Sequence, residues 1–201
     1  MAYRRTPAVQ ARLDAQRAAI VQAAHDVLAE HGYRGCTMAA VAARAGIATG
    51  TIYRHFPSKS ALAVELFRTV VDREVAAVAE ASASGEVLER VVAVTETFAR
   101  RALKAPRLAF ALLAEPVDPA VDEERLVYRR AFRDIFAQRI AEGVSAGVLP
   151  PQDPQLTAAA LVGAVAEALL GPLSNGDHPD IVPAMATFTL RALGVQHATH
   201  P

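Results

Sequence analysis

The chain has 201 residues, 52% of them apolar, with 21 basic and 21 acidic side chains. It is long enough to bury a substantial core, as one large domain or as a small domain fused to a larger one. The lone cysteine, Cys36, excludes an internal disulfide. Charges are expected to interrupt every apolar run well short of about 20 residues, which excludes a membrane span. The opening MAYRRTPAVQ has two arginines and no apolar run of the signal-peptide type. Together these features predict a cytoplasmic protein without a membrane partner.

The zero net charge hides an asymmetry. Residues 1–60 hold eight Lys/Arg and three Asp/Glu, whereas residues 61–201 hold thirteen and eighteen. A basic segment of roughly 60 residues suits a polyanion, and the acidic remainder does not. Solvated surface charge would explain the same counts. Arginine outnumbers lysine nineteen to two, which carries no functional meaning by itself.

Alternating apolar runs are absent and helical periodicity recurs between Pro/Gly breaks, so an all-α fold is expected. The first helix is expected from about Ala8 or Ala11 to His31, with Ile20, Ala24, Val27 and Leu28 as its buried stripe and Gly32 as its stop. Thr37 then caps a second helix, about Met38 to Ala45, through its hydroxyl. Gly46 ends that helix in the left-handed conformation that glycine adopts most cheaply. A third helix spans about Thr49 to His55. Pro57 forces a break by pushing Phe56 out of helical geometry, and Ser58 caps a long fourth helix ending near residues 81–84.

Residues 37–59, TMAAVAARAGIATGTIYRHFPSK, are the most informative stretch. Val41, Ala45, Ile47 and Ile52 sit where two short helices lock together, and Ala42 is small where the second must cross closely. This is the pattern of a helix-turn-helix, whose second helix enters a DNA major groove. Gly50 allows a close approach, and Thr51 offers a hydroxyl and a methyl to a base edge or phosphate. Tyr53 and His55 are long enough to reach phosphates. Lys59 stands in the first turn of the fourth helix, where a cation opposes the helix dipole. An external phosphate between it and the helix N-terminus would account for that placement.

Gly32-Tyr33, Thr37, Ala42, Gly46 and Thr51-Ile52-Tyr53-Arg54-His55-Phe56-Pro57-Ser58-Lys59 strongly resemble the N-terminal signature of TetR-family transcriptional regulators. The resemblance covers about residues 10–65. Beyond it the chain is similar to that family only in length, helical pattern and a C-terminal helix pair. It implies a homodimeric repressor of double-stranded operator DNA, released by a small-molecule effector. It implies a three-helix DNA-binding domain over residues 1–57 and a larger helical effector-binding and dimerisation domain over residues 58–201. By position, Thr37, Tyr53, His55 and Lys59 would contact phosphates, and Thr49, Gly50 and Thr51 would face base edges. Ala48 departs from the pattern, since many relatives carry a serine there that caps the recognition helix.

The later helices are expected at about Glu86–Lys104, Arg107–Ala114, Asp118–Ala146, Asp153–Leu170 and Pro179–Leu193, with a disordered tail QHATHP. Phe98, Arg101, Leu108, Phe110, Leu113, Tyr128, Phe132, Phe136 and Met185 are candidates to line an effector pocket, with ordinary core packing as the competing reading of each. Glu115 is a possible cation partner of a ligand or a helix-start residue. Glu167 could face a ligand, pair across a dimer or face solvent. Arg100-Arg101 and Arg129-Arg130 read as salt-bridged surface charge. The last two long helices are expected to form a two-fold dimer. Ala159, Ala160, Gly163, Ala164 and Ala166 would permit close approach there, and Leu156, Val162, Leu169, Val182, Met185 and Leu190 would supply apolar area.

An enzyme is not expected. His25, His31, His55, His178, His197 and His200 show no metal-ligand spacing with Cys36 or a carboxylate pair. No phosphate-binding glycine loop or nucleophile elbow occurs, and no cofactor is expected. The alternatives are an activator or ligand-independent regulator, and a helical small-molecule-binding protein or enzyme with a vestigial DNA-binding motif.

Overall fold

The structure is a computed structural model, and it describes residues 6–176 and 179–195. Among them are nine α-helices and no strand. They are α1 Pro7–Gly35, α2 Met38–Ala45, α3 Thr49–His55, α4 Lys59–Ala81, α5 Val87–Lys104, α6 Pro106–Leu113, α7 Pro119–Ser145, α8 Pro154–Asn175 and α9 Ile181–Ala192. The tail expected to be disordered lies outside the described residues.

The N-terminal unit is assembled largely by local signals. Thr6 caps α1, whose expected stripe of Ile20, Ala24, Val27 and Leu28 is at most 2% exposed. Gly32 interrupts α1 at φ 66°, and a last short turn follows it. The Thr37 hydroxyl accepts from the Ala40 N–H at 3.1 Å and caps α2. Gly46 closes α2 at φ 66°, ψ 31°, so the left-handed conformation expected there is present. Ser58 caps α4 by accepting from the Ala61 N–H at 3.1 Å. Ala48 stands at the N-cap of α3 with no side-chain bond, leaving that helix without the cap a serine would supply.

The C-terminal unit is built on packing. α7 packs against α4, α5 and α8, α5 against α4 and α9, and α6 against α1 and α8. Glu86 and Glu89 form a reciprocal capping box at the start of α5. Aliphatic cores fill the layers, with Val78, Val91, Val94 and Ile140 in one cluster and Val165, Leu169 and Met185 in another. No hydrophobic gap separates the two units. The N-terminal cluster runs from Ile20 and Ile52 through Leu66, Phe67 and Val70 of α4 to Leu108 and Ala111 of α6.

Helix α8 corrects two expectations. It continues five residues past the expected end at Leu170, through Gly171 and Pro172, before Gly176 closes it at φ 82°. Pro172 and Leu173 are buried, so tertiary packing overrides the local breaking tendency of Gly-Pro. Its 22 residues carry one charge, Glu167, so by length and composition it could cross a membrane. Charges therefore do not interrupt every apolar run, as the sequence analysis expected. In this fold Ala158, Leu161, Val165 and Leu169 turn its inner face into core.

Candidate DNA-reading and effector sites

The recognition helix α3 is held from below and free above. Ile52 is fully buried, and Phe56 just after the helix is 1% exposed. Thr49, Gly50, Tyr53 and Arg54 are exposed, while Thr51 and His55 are half-buried. Tyr53 exposes 52% of its surface, which is unusual for an aromatic side chain with no core to fill. Nothing lies within 4 Å of a side chain built at Gly50, so that face is open.

Helix α1 fixes the far end of α3. Arg17 donates to the His55 carbonyl at 2.9 Å, and its guanidinium lies 4.1 Å from the centroid of the Phe56 ring. Gln16 bonds His55 Nε2 at 2.9 Å. One side of the His55 ring is thus engaged within the protein. Lys59 is also engaged, donating to the Tyr33 carbonyl at 2.8 Å and sitting 4.1 Å above the Tyr33 ring. It serves the C-terminal end of α1, where a cation is favoured. An ammonium has three donors, so this bond leaves two for an outside acceptor. Cys36 is buried, and burial pushes its thiol up to about 11. It stays protonated near neutral pH and behaves as a small core residue.

The second feature is a cavity of about 120 Å³ among α4 to α8, large enough for several water-sized volumes. Of the sequence candidates, Phe98, Arg101, Leu108, Leu113, Tyr128, Phe132 and Phe136 line it. Phe98 and Phe132 meet edge to face at 5.1 Å. Burial and nearby carboxylates raise the Tyr128 phenol far above its ordinary range, so it stays neutral.

Phe110, Glu115, Glu167 and Met185 are not among the lining residues. Phe110 and Met185 pack into the cluster with Leu169 and Leu173, on the other side of α6. Glu167 faces outward on α8. Glu115 accepts from the Tyr33 N–H at 2.7 Å and the Arg34 N–H at 3.1 Å, just beyond the interruption at Gly32. It therefore ties the end of α6 to the end of α1. The Tyr33 hydroxyl adds a bond to Asp118 at 2.9 Å, and Arg107 donates to the Glu30 carbonyl at 2.6 Å.

Sequence reasoning missed Phe67 and Arg125. Phe67 is fully buried, lines the cavity and meets Tyr33 edge to face at 6.5 Å. One ring thus belongs to both the cavity wall and the N-terminal core. Arg125 lines the cavity and donates to the carbonyls of Ala111, Leu112 and Glu115, closing the C-terminal end of α6. The one advance signal for Phe67 was its place on the apolar face of α4. Arg125, one of several charges on α7, gave none.

An exposed helix on a packed helix-turn-helix, whose core runs through Phe67 into the wall of an apolar cavity, is the architecture of a DNA-binding unit joined to a helical body. Comparison with known proteins agrees. The family model described as bacterial regulatory proteins, tetR family, matches residues 20–66, and the tetracyclin repressor-like C-terminal domain matches residues 84–169. The chain is 29% identical over 136 residues to the HTH-type transcriptional repressor KstR2 of Rhodococcus jostii (strain RHA1), across 66% of this chain and 67% of that protein. Its fold is similar to that of FadR from Bacillus subtilis in complex with stearoyl-CoA, with a TM-score of 0.75, 22% identity and coverage of 89% and 98% of the two chains. It is also similar to RolR in complex with resorcinol, with a TM-score of 0.71, 21% identity and coverage of 93% and 91%. The chain belongs to the TetR family of bacterial regulatory proteins.

Proposed function

We propose that two copies of this chain read a palindromic operator in the cytoplasm, and that a small hydrophobic or aromatic effector releases them. The observation that carries the reading is Phe67, which lies in the cavity wall and against the Tyr33 ring beside the DNA-reading unit. Thr49, Gly50 and Thr51 face base edges. Thr37, Tyr53, His55 and Lys59 hold phosphates and set the register of α3. On this reading the cavity serves as a binding chamber.

The homodimer is supported by the outer faces of α8 and α9. Leu156 is 70% exposed and Phe188 48%, with exposed Ala159, Ala160, Gly163, Ala168 and Ala184 between and beside them. Of the residues expected to supply apolar area, Leu169, Met185 and Leu190 are buried in the monomer, whereas Leu156 is exposed as expected and Phe188 joins it. Two-fold pairing through this face presents two recognition helices to two half-sites.

Relatives of this fold hold ligands as different as stearoyl-CoA and resorcinol, so the lining sets the effector class. Here it is dominated by aliphatic and aromatic side chains, Phe98, Phe132 and Phe136 among them. Ligand binding that favours a different tilt of α4 changes the spacing of the recognition helices, and the shift is bounded by the ligand's differential affinity. The test is binding of the full chain to its own upstream DNA across a salt series. A log–log salt slope of several units with sequence preference is expected. Binding that is absent, or equal on unrelated DNA, would overturn the reading.

A further inference from the structure

We propose that the effector is an anionic amphiphile whose head group takes Arg101 from Glu74, uncoupling α4 from α5. The inference rests on the regulator reading above and gives that ligand site its chemistry.

The cavity interior is apolar, but its charged lining is unbalanced. Glu74 stands against Arg101, Arg125 and Arg129, a formal excess of two positive charges. The three arginines are not equivalent. Arg125 is committed to three backbone carbonyls at the end of α6 and to Asp122. Arg129 was expected to be salt-bridged, yet it has no ion pair among the described residues and is exposed. Arg101 is held by one partner: its Nη2 donates to Glu74 Oε1 at 2.8 Å and its Nε donates to Glu74 Oε2.

That pair joins α4 to α5 at the cavity wall. Its side chains remain 42% and 29% exposed, so water already screens it and it is weak as a fastening. A carboxylate or phosphate arriving from the cavity matches the same planar guanidinium fork. It meets Arg101 with its own apolar tail buried among Phe98, Phe132 and Val94, a contribution Glu74 lacks. Glu74 then turns to solvent, with Arg129, which has no ion pair among the described residues, in the same charged lining. An uncharged ligand of equal size fills the chamber but leaves the Glu74–Arg101 pair in place. The head group therefore determines whether this link between α4 and α5 is kept. Because α4 begins at Lys59 beside the DNA-reading unit, the exchange has a mechanical output.

The experiment compares matched ligands on the full chain: octanoate with octan-1-ol, and 3-phenylpropanoate with 3-phenylpropan-1-ol, by calorimetry and by competition with operator. At least one carboxylate is expected to bind about tenfold or more tightly than its alcohol, as a charge-assisted bond requires. It should also weaken operator binding, and the alcohol should not. Arg101→Met should bring the carboxylate-to-alcohol ratio near one, with Arg101→Lys restoring part of it. Glu74→Gln should raise the ratio several-fold by removing the competitor. The ratio is taken within each variant, so partial destabilisation cancels.

Equal binding of acid and alcohol by the wild type overturns the proposal. So does a ratio that survives Arg101→Met, or failure of both carboxylates to bind. Operator binding without ligand is measured on the same preparation. Its absence counts against the regulator reading, whereas intact operator binding with any of those results counts against the anionic effector alone.

Discussion

The two halves of this chain are specified by different means. In the DNA-reading unit local chemistry sets most of the helix boundaries: Thr37 caps α2, Gly46 ends it and Ser58 starts α4. The effector unit depends on which faces meet. In α8 a Gly-Pro pair fails to stop the helix because Pro172 and Leu173 are buried. A reading head that must present fixed atoms to a fixed groove benefits from locally determined geometry. A chamber that must fit a ligand is shaped by side-chain volume, which many sequences supply.

The largest test concerns the face proposed to join two copies. No atom lies within 4 Å of a side chain built at Gly163, so Gly163→Glu should leave the monomer folded. It places charge on the outer face of α8, and sedimentation should then show monomers. Operator affinity should fall by about a hundredfold or more as two linked contacts become one. A dimeric variant would move the interface elsewhere.

Phe67→Ala tests whether the halves are separable. Loss of this fully buried ring should cost about 3–5 kcal/mol. Because the ring belongs to both units, thermal unfolding should remain a single transition at lower temperature. Two resolved transitions would mean that the units unfold independently and that the contrast runs deeper than packing shows.

A cap exchange sharpens the contrast within the reading head. Thr37→Ala should destabilise by about 1 kcal/mol, since the hydroxyl satisfies the Ala40 N–H. Ala48→Ser should stabilise by a similar or smaller amount, because its extended backbone at φ −68°, ψ 142° already suits an N-cap. Denaturant midpoints measure both. No gain at position 48 would show that an uncapped α3 start is held fully by its neighbours.

The smallest effect is expected at Lys59. Lys59→Ala should reduce the log–log salt slope of operator binding by about one unit if the ammonium reaches a phosphate. A lowered midpoint with an unchanged slope would assign the residue wholly to the Tyr33 carbonyl.

These tests follow the line between what was legible in the sequence and what was not. Residues 37–59 could be read almost position by position, since capping hydroxyls, a left-handed glycine and a proline break act over three or four residues. The cavity was legible in part: Phe98, Tyr128 and Phe132 line it, whereas Phe110 turns to the other side of α6. Periodicity says that a face is buried but not against which neighbour. Glu115 was recognised as unusual, but its partners are backbone N–H groups more than eighty residues earlier. Local pattern cannot encode such a pairing.

That pairing has a geometric consequence. The reading head is pinned at the Glu115 bridge to Tyr33 and Arg34, and it is continuous with the body through α4. Further ties run beside these, from Tyr33 to Asp118 and from Arg107 to the Glu30 carbonyl, so the attachment opposes a slide along α4. The Glu115 carboxylate would lie 3.0 Å from a Cβ added at Gly32, whose φ of 66° also disfavours any other residue, so this junction is tightly fitted. In a pair of such chains, a swing of the head about these ties would change the separation of two recognition helices more than a slide of the same amplitude.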